Sequence, residues 1–142
     1  SGNTKGPIRV DEGGSAYLKN LTLASQSKGI IIQNGNFVKL DNVTISGSDE
    51  NGINVWGTNI GLEDSTISGN ADTEIYAKFS TINLEKTAIT GTAGSDEIDL
   101  NYGSMLFIET GTTITGTVTC DGSVDNNSIS NSINLSLTTS GC

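Results

Sequence analysis

There is no histidine in the 142 residues, which rules out imidazole catalysis and histidine-held metals. Arginine occurs once, at Arg9. Basic residues are few: seven Lys and Arg face sixteen Asp and Glu, for a net charge of −9 and a pI near 4.1. Nucleic acids and anionic membranes need a basic face, so neither is an expected partner. Aromatic residues make up 5% and hydrophobic residues 34%, too little for a thick globular core. No apolar run approaches the about 18 residues of a membrane-crossing helix, so no membrane span is expected. Cysteine is limited to Cys120 and Cys142. The pair would close a 21-residue loop, which predicts a terminal disulfide and an extracellular or cell-surface setting; two unpaired thiols are the alternative. The chain opens on Ser1 with no visible signal peptide, and so reads as a mature product or an excised piece.

Proline is nearly absent as well, one residue against eighteen glycines in a chain rich in Ser, Thr and Asn. That balance favours many short strands joined by tight turns. Three lines of aliphatic residues recur through it. Ile8, Ile30, Ile53, Ile75 and Ile98 lie 22 or 23 residues apart. Leu18, Leu40, Leu62, Leu84 and Ile108 are spaced by 22 and finally 24, and Leu23, Ile45, Ile67, Ile89 and Ile114 by 22 and finally 25. Gly47, Gly69, Gly91 and Gly116 follow the third line two residues later. Each line lies in a short alternating segment, such as Ile53-Asn54-Val55 or Thr66-Ile67-Ser68, the pattern of a strand with one buried face.

Three strands per repeat leave room only for short corners, which Gly, Asn, Asp and Ser fill. The prediction is an all-β fold: a single-stranded, right-handed parallel β-helix, a solenoid of about six coils of roughly 22 residues with three short strands per coil. Residues 1–7 form a polar N-terminal segment and residues 8–120 the coils. Residues 121–142, where Ile133, Leu135 and Leu137 alternate, form a C-terminal strand and cap. Tandem hairpins are the rival, but Asn34-Gly35, Asn51-Gly52 and Asp121-Gly122 do not recur at hairpin spacing.

Asn42-Val43-Thr44-Ile45-Ser46-Gly47, Ser65-Thr66-Ile67-Ser68-Gly69 and Thr87-Ala88-Ile89-Thr90-Gly91 resemble the repeats of the right-handed parallel β-helix family, the pectate-lyase-like superfold. The resemblance covers about residues 8–120. It implies a fold and leaves activity open, because the family includes polysaccharide lyases, hydrolases, phage tailspikes and adhesins. Its lyases use Arg or Lys beside calcium-binding carboxylates, whereas Arg9 lies away from any acidic column. The Asn-Thr-Asp, Asp-Asp and Gly-His-Gly motifs of its hydrolases do not occur. No catalytic residue is therefore assigned, and the chain is expected not to be an enzyme.

Four groups of residues are candidate sites. Trp56, Tyr76 and Tyr102 fall on three successive coils and are expected to point outward, as a face for glycan or another partner; corner packing is the alternative and the role expected of Phe79. Thr22, Thr44, Thr66 and Thr113, flanked by Ser46, Ser68, Thr90 and Thr115, are expected to form a flat hydroxyl face, suited to lateral packing or to ice; the high strand propensity of Thr explains such ranks equally well. Asp49, Asp72, Glu74, Asp96 and Glu97, with Glu50, mark an acidic corner, either a solvated edge or a Ca²⁺ site. No other cofactor is expected. Asn20, Asn42, Asn126 and Asn134 match the N-glycosylation acceptor pattern.

The leading expectation is an extracellular, non-enzymatic structural or adhesive module that self-associates end to end into fibres. Its partner would be itself, or an upstream part of the same solenoid, because terminal coils expose unpaired strand edges. The alternative is a fragment of a carbohydrate-active β-helix, of phage tailspike or polysaccharide lyase type, that binds polysaccharide. An ice-binding solenoid is the third reading.

Overall fold

The computed structural model describes residues 6–120, 129–130 and 136–140, the last two segments by their backbone alone. The strands in chain order are β1 (Ile8–Asp11), β2 (Ser15–Ala24), β3 (Ile30–Gln33), β4 (Phe37–Ser46), β5 (Ile53–Trp56), β6 (Asn59–Glu63), β7 (Thr66–Ser68), β8 (Ile75–Lys78), β9 (Thr81–Glu85), β10 (Ala88–Thr90), β11 (Ile98–Asn101), β12 (Met105–Ile108), β13 (Thr113–Cys120), β14 (Ile129–Ser130) and β15 (Ser136–Ser140). Every pairing between them is parallel, and each strand stacks on its equivalent one turn away. Among the described residues no helix is long and apolar enough to cross a membrane.

The three predicted lines are three stacked columns. Ile8 pairs with Ile30, then Ile53, Ile75 and Ile98. Leu18, Leu40, Leu62, Leu84 and Ile108 are likewise in register, as are Leu23, Ile45, Ile67, Ile89 and Ile114. From the second turn onward these side chains are buried. Burial of each stabilises the fold by roughly 1.5–3 kcal/mol. The narrow interior needs no aromatic residue, which accounts for the low aromatic content.

Two details differ from the sequence expectation. About five turns are described, rather than six; beyond Cys120 the described backbone is confined to β14, which pairs with β12, and β15, which pairs with β13. Three short strands per coil hold only in the middle turns. In the first two turns the second and third strands run together as β2 and β4, through corner residues Asn20 and Asn42 at φ 54°. Asn enters this left-handed region more readily than most residues, so a single residue turns the corner without ending the ladder.

Corners interrupt the backbone ladder, and buried side chains repair it. Between the first and second faces, Gly35 N–H donates to Thr58 Oγ1 at 2.8 Å, Thr58 N–H to Ser80 Oγ at 3.3 Å and Ser80 N–H to Ser104 Oγ at 3.1 Å. Between the second and third faces, Val43 N–H donates to Ser65 Oγ at 3.1 Å and Thr87 N–H to Thr112 Oγ1 at 3.4 Å. An unpaired buried N–H is costly, which explains these inward hydroxyls at repeat spacing.

Candidate ligand-binding face

The first face is built by β1, β3, β5, β8, β11 and the end of β13. Inward residues alternate with outward ones, so Ile53 and Val55 are buried while Trp56 is 49% exposed. One turn on, Tyr76 points outward between buried Ile75 and Ala77. Tyr102, 51% exposed, turns the corner after β11 at φ 53°.

The three predicted aromatics come together around a residue that sequence reasoning missed. Lys78 Nζ lies 5.7 Å from the Trp56 ring centroid, 5.2 Å from that of Tyr76 and 5.4 Å from that of Tyr102. A hydrogen bond to the Tyr76 hydroxyl, joined by nearby negative charge, holds the Lys78 pKa above its ordinary value against a lesser effect of burial. The signal for Lys78 was in the repeat: it stands 22 residues after Trp56 and pairs with it. Phe79, expected in corner packing, stands at the corner between β8 and β9. It is exposed at φ 50° and stacks on Tyr102 with ring centroids 5.1 Å apart.

Trp56, Tyr76 and Lys78 form one wall of an open groove of about 250 Å³, lined also by Ile31, Gln33 and Asn54 and bordered by Lys28 and Glu50. Lys28 and Glu50 pair with each other at 2.9 Å. The groove offers flat aromatic surface, amide groups and an ammonium, which together suit a polar ligand with flat apolar patches.

The acidic corner divides. Asp49 and Asp72 are exposed and Asp96 half-exposed, whereas Glu74 and Glu97 turn inward, 0% and 5% exposed. Among the described residues no three acidic, Cys or His side chains gather as a metal site would need. Asp and Glu instead line up on the second face. Asp41, Glu63 and Glu85 stack in register, and Glu109 continues the column through its N–H to the Leu84 carbonyl at 2.8 Å. Each follows a residue of the Leu column, a spacing visible in the sequence but unused. Lys19 Nζ lies 2.7 Å from Asp41 and Lys39 Nζ 2.6 Å from Glu63. These hydrogen bonds are the main cause that lowers both carboxyl pKa values.

The hydroxyl ranks occupy the third face in register. Thr22, Thr44, Thr66, Ala88 and Thr113 form one rank; Ala24, Ser46, Ser68, Thr90 and Thr115 form the other. On this face residues 21–24, 43–46, 66–68, 88–90 and 113–115 carry no charge. Asn20 and Asn42 stack at its exposed corner, Asn42 Nδ2 donating to Asn20 Oδ1 at 2.7 Å. Asn126 and Asn134 lie outside the described residues. Cys120 ends β13 in a buried position; Cys142, its expected partner, also lies outside the described residues.

A family model for the right-handed β-helix region matches residues 7–141. No curated protein and no solved structure matches the chain. The matched span takes in every aliphatic column and every corner described above, and the chain belongs to the right-handed β-helix family.

Proposed function

We propose that the chain is an extracellular, non-enzymatic adhesive module that holds saccharide on its first face, against Trp56, Tyr76 and Lys78. The observation that carries this reading is the convergence of three aromatic rings from successive turns on one ammonium. Sugar rings stack their C–H faces on aromatics, and the polar rim supplies partners for their hydroxyls. The absence of histidine, and of the Asp motifs used by the family's hydrolases, supports binding without turnover. A glycan array probed with the wild type and with Trp56→Ala tests the reading. Binding that disappears in the variant supports it; no binding, or binding indifferent to the substitution, removes it.

A second reading, end-to-end association into fibres, is favoured by the first described turn. Ile8, Val10, Ala16, Leu18, Leu21 and Leu23 point at the core but are only partly buried, unlike their equivalents in the next turn. A further coil in the same register, from a second copy or from preceding chain, would cover them. Light scattering over a range of concentrations is its test, and a strict monomer at high concentration counts against self-association.

A further inference from the structure

The ligand reading leaves one buried feature unused, the inward corner where the third face turns into the first. Glu74 and Glu97 occupy equivalent places on successive turns. Each directly precedes a member of the paired Ile75 and Ile98, and Ile75 N–H donates to the Glu97 carbonyl oxygen at 3.0 Å. The Glu74 carboxylate accepts from Asn70 N–H at 3.2 Å and from the Asn70 side-chain amide. The Glu97 carboxylate accepts from Thr117 N–H and fills the space left by two glycines. A Cβ on Gly91 would stand 2.5 Å from its Oε1, and one on Gly116 would be closer still. The two acids thus do the work that Ser and Thr hydroxyls do at the other corners.

A hydroxyl carries no charge, and these groups can. Among the described residues no Lys or Arg pairs with either. Apart from Tyr76 and Lys78 on β8 and Asp99 on β11, which occupy outward positions, the titratable groups on the neighbouring segments are all acids: Asp72 and Asp96 on the two corner loops themselves, and Asp49 and Glu50 on the loop one turn earlier. All four are exposed or half-exposed, and Glu50 is paired with Lys28. The strands β10, β13 and β15 carry no Asp, Glu, Lys or Arg. Burial raises the Glu74 pKa, and the negative Glu97 adds to the rise, against the opposing hydrogen bonds from Asn70 and Gly69.

We propose that Glu74 and Glu97 act as a proton-operated clasp: a proton held by Glu74 lets the two side chains pack one turn apart, and its release as pH rises loosens the start of β8, the strand that presents Tyr76 and Lys78. A group whose pKa is raised on folding stabilises the folded corner in acid, and that contribution is lost as pH rises through the folded value. The clasp would couple the ligand face to pH, yet it stands whether or not the face binds saccharide.

Amide hydrogen exchange of Ile75 to Lys78 between about pH 5 and 8, corrected for intrinsic exchange, tests the clasp. Protection is expected to fall by about tenfold for each pH unit by which the Glu74 pKa is raised on folding. The emission of Trp56, the only tryptophan, is expected to change over the same range. Glu74→Gln should abolish both effects, and the exposed control Asp49→Asn should retain them. Flat wild-type protection, or a Gln variant with the wild-type profile, overturns the proposal. If Glu74→Gln fails to fold, Glu97→Gln serves instead: it should move the midpoint of the transition to lower pH, and an unmoved midpoint overturns the proposal equally.

Discussion

Lys78 stands directly above Trp56 in one column of the first face, its ammonium 5.7 Å from the indole ring. The same ammonium reaches Tyr76 on its own strand and Tyr102 on the next turn, so one cation joins aromatics from three turns. Lys78→Ala is expected to shift Trp56 emission and weaken saccharide binding, while the thermal midpoint moves little because cation–π contacts at exposed sites are weak. Fluorescence, binding and melting of one preparation check all three. A large loss of stability with unchanged emission would show that the lysine holds the turns together and does not shape the groove.

Ser80 carries a heavier structural burden than its size suggests. Its hydroxyl accepts from buried Thr58 N–H and donates to the Lys78 carbonyl at 2.7 Å. Ser80→Ala strands a donor away from water and is expected to cost about 1–3 kcal/mol in denaturant unfolding. Ser80→Thr keeps the hydroxyl and should recover most of that loss.

Acid should weaken the second face. The pKa values of Asp41 and Glu63 are lowered in the folded chain, chiefly by hydrogen bonds from Lys19 and Lys39. A depressed folded value means stability that is present above the unfolded carboxylate pKa and lost as pH falls through the folded one. Melting temperature should therefore fall as pH drops below roughly 4.5, and Lys39→Ala should flatten part of that decline. Both pairs are open to solvent, with the Asp41 and Glu63 side chains half-buried, so added salt should have a similar, smaller effect. Combined with the opposite tendency of Glu74, this predicts a stability maximum in mildly acidic solution.

The aliphatic columns were legible because a stacked coil places like on like at a constant interval. Leu40, Leu62 and Leu84 are buried neighbours in space for the same reason that they are 22 residues apart in the chain. The outward direction of Trp56 and Tyr76 followed from alternation alone. Lys78 and the Asp41, Glu63 and Glu85 column obeyed the same interval, but they were not sought among polar residues, where repetition is weaker.

The corners resisted the same reading. Glu74 and Glu97 look like solvated acids in the sequence, beside Asp72 and Asp96, and the chain gives no local sign that they turn inward. Alternation fixes side-chain direction only within a strand; at a bend, direction depends on which buried N–H lacks an acceptor and on how much room the neighbouring turn leaves. Asn70 and Thr117 supply those donors, and Gly91 and Gly116 that room. Periodicity alone thus dictated the solenoid and its faces, because stacking is a matter of interval. The burial of two carboxylates and the gathering of three aromatics around Lys78 were settled in three dimensions, where residues from different turns first meet.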